Sequence, residues 1–431
     1  MISHPEWRSS SPFVTLVVCV AIFTDIFLYG LIVPVLPFAL KVRIGLADHD
    51  IQLWASAFLA VYGASILLGS LLFGWIGDHT TTRKDPFLLG LIVVGGATLL
   101  TALTTSLPLL LLARVLQGVS TASVFTIGYS LLLDTVGTKR IGTALGFTSM
   151  SLSLGLFAGP IIGGFIYDIA GYTAVFAPAF ALILLEILLC TLLNPPPGPK
   201  TPSPEHSPLL PPPAGHASPP ALVFLLRSPR FLIAMAGMSI LNICMTALEA
   251  VLPIYLQDLF HSTSSHIAIV FLSSSLPLVV LSPLAGSCVD RSGPFWPAVA
   301  GFALTAPSMM LLGLVRENTP RDSVLLRLFL FLFGCGVSMA MPAMMTEISM
   351  ATEAVEKRYP RVFGVRGAYA QAYGLSNAAF AVGTLAGPLY AGYIREWAGW
   401  VAMAVSLGGL GVVMVLLVGV FTGRECCREE V

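Results

Sequence analysis

Charge is what this sequence lacks. Lys, Arg, Asp and Glu make up only 10% of the 431 residues and hydrophobic types 56%, whereas a soluble domain carries about 25% charged residues. A chain so poor in charge cannot coat a water-facing surface of its own size, which excludes an ordinary soluble protein. Neither sign is in excess. With 22 basic and 22 acidic residues the formal net charge is zero, so there is no basic face for nucleic acid and no acidic tail. The seven cysteines are scattered, mostly inside apolar runs, and show neither metal-ligand spacing nor a disulfide framework. Ten-residue alternation of the membrane β-barrel kind is also missing, because the apolar runs are continuous. The first of them begins near Phe13 and has no small-residue cleavage site behind a short apolar core, so it reads as an uncleaved first helix rather than a signal peptide.

What is there is a succession of apolar runs. About 20 residues at 1.5 Å rise cross a hydrocarbon core of about 30 Å. By that ruler twelve spans are predicted, approximately over 13–40, 53–76, 87–104, 107–133, 140–168 and 172–193, then 231–258, 266–289, 294–315, 322–350, 363–394 and 397–421. The expected fold is an all-α polytopic membrane protein, twelve transmembrane helices in two pseudo-symmetric six-helix halves. Between spans six and seven, "NPPPGPKTPSPEHSPLLPPPAGHASPP" (194–220) holds 12 prolines in 27 positions, which forbids helix and favours an extended, solvated chain. The expected organisation is a first half over 1–193, a cytosolic proline-rich linker over 194–230, a second half over 231–421 and a cytosolic tail over 422–431. The linker reads as a spacer before it reads as a PxxP ligand. Basic pairs such as Arg83 and Lys84, Lys139 and Arg140, Arg227 and Arg230, and Lys357 and Arg358 fall on one side of this topology, which predicts that both termini are cytosolic.

The halves repeat one another. "AGPIIGGFIYDIAGY" (158–172) aligns without gaps on "AGPLYAGYIREWAGW" (386–400), "VLP" at 35–37 returns at 251–253, and Asp78 answers to Asp290. Duplicated six-helix halves around a midplane site describe a secondary transporter whose halves rock against each other.

Several stretches carry polar chemistry into this apolar setting. "TDIFLYGLIVPVLPFAL" (24–40) buries Asp25 with Tyr29 one turn on, and in the seventh span Asn242, Met245 and Glu249 share a face. A carboxylate at mid-bilayer costs on the order of 2.5–3.5 kcal/mol on insertion scales, so an idle one is rare. Two readings stay open: the acids take up protons or a cationic group in alternation, or they form a hydrogen-bonded bridge. Burial disfavours the charged form of a carboxyl in general, which brings proton exchange toward neutrality and favours the first reading. "RVLQGVSTA" (114–122) places Arg114 and Gln117 three residues apart on one face, as a site or as a structural clasp. Tyr369, Tyr373 and Asn377 at steps of four form an aromatic and polar stripe, suited equally to packing and to an amphipathic ligand. "GLFAGPIIGG" (155–164) repeats Gly155, Gly159 and Gly163 along one helix face and adds Pro160, so two helices can approach closely there and pivot; Gly387 and Pro388 are its copy. "GWIGDHTTTRK" (74–84) and "GSCVDRSG" (286–293) put Gly74, Asp78 and Arg83, and then Asp290 and Arg291, in loops after the second and eighth spans. His261 and His266 lack further ligands for a metal, and Cys426 and Cys427 are as well read unmodified as palmitoylated.

Together these stretches resemble the major facilitator superfamily over essentially the whole chain. The loop at 74–84 resembles the family's cytosolic latch, with departures: His79 stands where an Arg is usual, and Arg83 and Lys84 sit one position late. "GLFAGPIIGG" resembles the antiporter signature of its drug:proton exporters. "DIFLYGLIVPVLPF", "LEAVLPIYL" (248–256) and "GLFAGPIIGGFIYDIAGYTAVF" resemble the vesicular amine transporter branch, which implies that Asp25 engages a cationic substrate and that Glu249 lines the same cavity. That branch's lysine in the second helix falls on Tyr62, and its acids of the tenth and eleventh helices on Val337 and Asn377, so neurotransmitter amines are not implied. The function expected is secondary active transport, proton-coupled efflux or vesicular sequestration of a small organic cationic or amphipathic compound across a plasma, vesicle or vacuole membrane. Expected partners are that compound, protons and the lipid bilayer, with no nucleic acid, cofactor or metal, and the chain working as a monomer. An uncoupled facilitator or uptake carrier, or a transport-dead sensor or scaffold on the same fold, is the alternative. An enzyme is not expected, since no nucleophile, base or metal cluster gathers at membrane depth.

Overall fold

The computed structural model describes residues 6–32, 35–80, 82–194, 221–261, 264–359 and 367–422. The proline-rich stretch after residue 194 and the cysteine pair at 426–427 lie outside them. Among the described residues twelve long helices carry the fold: α1 (Ser11–Ile32), α2 (Asp48–His79), α3 (Lys84–Leu103), α4 (Leu107–Val136), α5 (Ile141–Ala174), α6 (Phe176–Leu192), α7 (Pro229–Phe260), α8 (Ser264–Ser292), α9 (Phe295–Leu311), α10 (Pro320–Arg358), and α11 and α12, which split the run Tyr369–Phe421 at Gly399. A short helix at Leu36–Val42 continues the predicted first span beyond a break, and another at Ala221–Leu226 precedes α7.

The repeat is visible in the backbone. Gly171, near the end of α5, has φ 78° and ψ −176°, and its copy Gly399 has φ 85° and ψ 175°. That left-handed conformation suits only glycine without strain, so each glycine reverses the chain between paired helices without a loop. It follows that the "Ala-Gly-aromatic" ending of both repeats is a turn, not a helical stretch.

Each half is tied by one glycine stripe. A Cβ on Gly155 would lie 2.7 Å from the carbonyl oxygen of Phe23, and on Gly159 2.6 Å from that of Phe27, so α5 rests directly on the α1 backbone. In the second half a Cβ on Gly383 would lie 2.8 Å from the Ser239 carbonyl and on Gly387 2.7 Å from that of Ile243, which seats α11 on α7 in the same way. The helices that carry Asp25 and Glu249 are thus the two that the glycine stripes hold. Pro160 packs on Gly30, where a Cβ would meet its ring at 2.8 Å.

Candidate functional site

Asp25 lies about 20 Å along α1 from its first residue, at 1.5 Å per residue, and is 6% exposed. Thr121 of α4 donates from its hydroxyl to Asp25 Oδ1 at 3.0 Å, and the Tyr62 hydroxyl of α2 meets the Thr121 oxygen at 3.0 Å. A threonine hydroxyl holds one proton, so when Thr121 donates to Asp25, Tyr62 is the donor to Thr121. Asp25 Oδ2 is buried with no hydrogen-bond partner among the described residues. Tyr29, one turn on, stacks its ring on Tyr62 at 5.1 Å. Arg114, 2% exposed, donates from Nη1 to Gln117 Oε1 at 3.1 Å, while its Nη2 and Gln117 Nε2 have no partner among the described residues. Three helices of the first half therefore bring Asp25, Tyr29, Tyr62, Arg114, Gln117 and Thr121 together, with donors and one carboxylate oxygen left open.

From the second half, Glu249 stands opposite. It is exposed in the middle of α7 yet enclosed by protein, so it borders an open cleft within the bundle. It lies within electrostatic reach of the Tyr29 hydroxyl on α1. The other residues singled out in this half are committed elsewhere. Asn242 donates to the Phe380 carbonyl at 2.7 Å and to the Thr384 hydroxyl at 2.8 Å, clasping α7 to α11. Tyr373 is fully buried, shares a 2.5 Å hydrogen bond with Ser349, and packs its ring 5.5 Å from that of Tyr129. Asn377 donates to Ser70 at 2.9 Å. Tyr129 lies two turns past Thr121, about 12 Å nearer the end of the bundle that carries the linker. There Phe125, Tyr129, Met238, Met341, Asn377 and Phe380 line a void of about 10 Å³, scarcely room for one water. The stripe on α11 thus seals the floor beneath the site.

The linker-side end is closed by two matching contacts. Asp78, at the end of α2, accepts from the backbone N–H of Ala370 (3.0 Å) and Gln371 (2.9 Å) and from Gln371 Nε2 (3.2 Å) at the start of α11. Arg83 is 2% exposed, donates to Asp78 at 3.1 Å, and pairs with Asp134 of α4 at 2.9 Å. A Cβ on Gly74 would lie 3.0 Å from the Ala370 carbonyl. Asp290, at the end of α8, accepts from Gly142 N (2.7 Å) and Thr143 N (2.8 Å) at the start of α5. Arg291 is exposed beside it. Each aspartate occupies the N-terminus of a helix from the other half, where free N–H groups and the helix dipole favour an anion. His79 takes no part: its Nδ1 bonds the Trp75 carbonyl at 2.8 Å and its ring stacks on Trp75. The late Arg83 reaches Asp78 all the same, from the residue just before α3.

A double variant Asp78→Ala, Asp290→Ala should favour the state open at the linker side. Hydrogen bonds to charged groups contribute about 1.5–3 kcal/mol each, enough to invert a modest two-state preference. Thiol-reagent labelling of a cysteine placed at Ser376, on the sealed floor, should rise at least tenfold from that side; unchanged labelling would show that the aspartates do not hold the closure.

Sequence reasoning passed over three residues. Thr121 lies four positions after Gln117 in the stretch already singled out, so its face was readable. Asp134 and Glu186 gave only the signal of an acid near the end of, or inside, an apolar run. Glu186 of α6 is 1% exposed, with both carboxylate oxygens unpartnered among the described residues.

A twelve-helix bundle of two like halves, with polar side chains gathered deep inside it and matching contacts at one end, has the architecture of a membrane transporter. The sequence profile of the Major Facilitator Superfamily matches residues 18–371, and the chain belongs to that family. It is 33% identical to the "Uncharacterized MFS-type transporter C18.02" of Schizosaccharomyces pombe, over 90% of this chain and 91% of that protein. It is 27% identical to the human "MFS-type transporter SLC18B1" over 84% of this chain and 77% of the relative. The mouse "Synaptic vesicular amine transporter" is 24% identical over 77% and 59%, in keeping with the vesicular amine transporter-like branch. Among solved structures, the human organic anion transporter MFSD10 superposes with a TM-score of 0.70 over 95% of this chain and 99% of that one at 16% identity, a likeness of fold.

Proposed function

We propose that this protein is a proton-coupled antiporter of a small organic compound that is cationic or amphipathic, exporting it or sequestering it in a vesicle or vacuole, with both termini in the cytosol. The observation that carries the reading is Asp25: a carboxyl buried deep along α1, one oxygen fixed by Thr121 and the other without a partner among the described residues, with Glu249 of α7 within electrostatic reach of Tyr29 one turn on. An oxygen left open at that depth suits a proton or a cationic group that comes and goes. The name of the vesicular amine transporter supports a cationic cargo, and the paired latches support alternating access. The Arg83–Asp78 contact also weighs against the scaffold alternative, because the latch forms despite the irregular sequence of that loop. The test is uptake of a panel of organic cations and neutral amphiphiles into proteoliposomes, driven by an imposed pH gradient, with counterflow measured in parallel. Accumulation that follows the gradient supports antiport; counterflow without it would make the protein a facilitator, and neither would make it a scaffold.

Glu249→Gln separates ligand binding from structure. If Glu249 meets the cation, losing a charge-assisted hydrogen bond worth about 1.5–3 kcal/mol raises the apparent KM for cationic ligands roughly tenfold to a hundredfold and leaves neutral ones nearly unchanged. Equal losses for both classes, with a lowered melting temperature in detergent, would remove Glu249 from the binding site.

A further inference from the structure

The described intramembrane acids divide into two kinds. Glu347 of α10 is fully buried but held by Arg230 through two parallel hydrogen bonds, the second at 3.1 Å. Glu186 is as deeply buried and has nothing: neither Oε1 nor Oε2 finds a donor among the described residues. It sits on the inward face of α6 with Ala179, Ile183 and Cys190, the face against which Leu28 of α1 and Val94 of α3 pack. Ordinary packing does not call for an acid here. A leucine would fill such a place without the desolvation penalty of an unpaired carboxyl.

The charged and titratable groups around it form a short series. Asp25 lies one turn before Leu28 on α1 and Glu186 one turn after Ile183 on α6, and Leu28 and Ile183 belong to one packed cluster, so the two carboxyls flank the same α1–α6 contact within electrostatic reach of each other. Cys190 lies one turn on along α6, and Lys84 and Asp85 at the start of α3 are within electrostatic reach of it. Lys84 Nζ donates to the carbonyls of Thr191 (2.8 Å) and Leu193 (2.7 Å), closing the linker-side end of α6. Six residues before the end of α6, Glu186 is about 9 Å from that end, whereas Asp25 is about 20 Å from the start of α1. Glu186 is therefore an intermediate level between Asp25 and the linker-side face, behind the cleft that Glu249 borders.

We propose that Glu186 is a second proton-binding site of the N-terminal half, exchanging its proton with Asp25 and giving protons a route to the linker-side face separate from the ligand's. This rests on the proton-coupled reading above. In the step, Asp25 loses the O–H bond that Glu186 gains, directly or over intervening water, and the summed charge of the pair is unchanged. Only one of the two needs to be charged at a time, which avoids placing two unpaired carboxylates in the same apolar interior.

The test needs no ligand. Purified full-length protein reconstituted in lipid is titrated while the infrared stretch of protonated carboxyl groups is followed, for the unmodified protein and for Asp25→Asn, Glu186→Gln and Glu186→Asp. The expected result is two pH-dependent buried-carboxyl bands. Glu186→Gln removes one and moves the midpoint of the Asp25 band by about one pH unit or more, as coupled sites require; Glu186→Asp, which keeps an acid, retains both bands. If Asp25→Asn removes a band and Glu186→Gln removes none, or removes one without moving the other, the inference falls while the antiport reading stands. If Asp25→Asn removes no pH-dependent band, both fall.

Discussion

Gly159→Leu should abolish transport, and the structure gives the reason in backbone atoms. A Cβ at 159 would sit 2.6 Å from the Phe27 carbonyl oxygen, 2.9 Å from Leu31 N and 3.0 Å from the Gly30 carbonyl carbon. None of these can swing aside as a side chain would, so α1 itself must move away from α5. Overpacking of this kind costs about 1–3 kcal/mol or more. More important is what α1 carries. Asp25 is half a turn from Phe27 and depends on a 3.0 Å bond to Thr121, and a shift of the helix by 1 Å takes that bond outside hydrogen-bonding geometry. Gly159→Ala should already impair turnover, while Gly164→Ala, where nothing lies within 4 Å of the added atom, should be silent. Transport in proteoliposomes and melting temperature in detergent measure both parts. Normal turnover by Gly159→Leu would show that the close approach of α1 and α5 is not needed.

Asp25→Asn should abolish gradient-driven accumulation and leave the fold intact. The amide oxygen can still accept from Thr121, and the amide nitrogen takes the place of Oδ2, which has no partner to lose among the described residues. What disappears is the ability to bind and release a proton. Counterflow, which moves no net protons, should therefore persist for ligands that do not need the charge, with a melting temperature within a few degrees of the original. Full pH-driven accumulation by this variant would remove Asp25 from coupling.

Span number, the duplication and the glycine stripe were legible because each depends on local periodicity: apolar runs of bilayer length, a gap-free repeat, and glycines every fourth residue. The reach of that reading ended where contacts join distant segments. The histidine at 79 made the first latch look irregular, yet Arg83 lies on Asp78 and Asp134, a trio set by how α2, α3 and α4 end together. Asn242, Tyr373 and Asn377 have the composition of a binding wall, but their hydrogen bonds go to Phe380 and Thr384, Ser349, and Ser70. Side-chain chemistry alone does not say whether a polar group faces a cleft or a neighbouring helix.

By itself the sequence determined that this is a duplicated, twelve-span membrane protein, because hydrocarbon selects for length and apolarity along the chain and a repeat is read by alignment. It also determined which residues are out of place there, Asp25 and Glu249 first among them. Only the tertiary structure decided which of these stay unpartnered, since that depends on what other helices bring within about 3 Å. Glu347 is satisfied by Arg230, one oxygen of Asp25 by Thr121, and Glu186 by nothing among the described residues. The closed linker side is likewise a tertiary fact: Asp78 and Asp290 are acids in turns until α11 and α5 of the opposite halves present their free N–H groups to them.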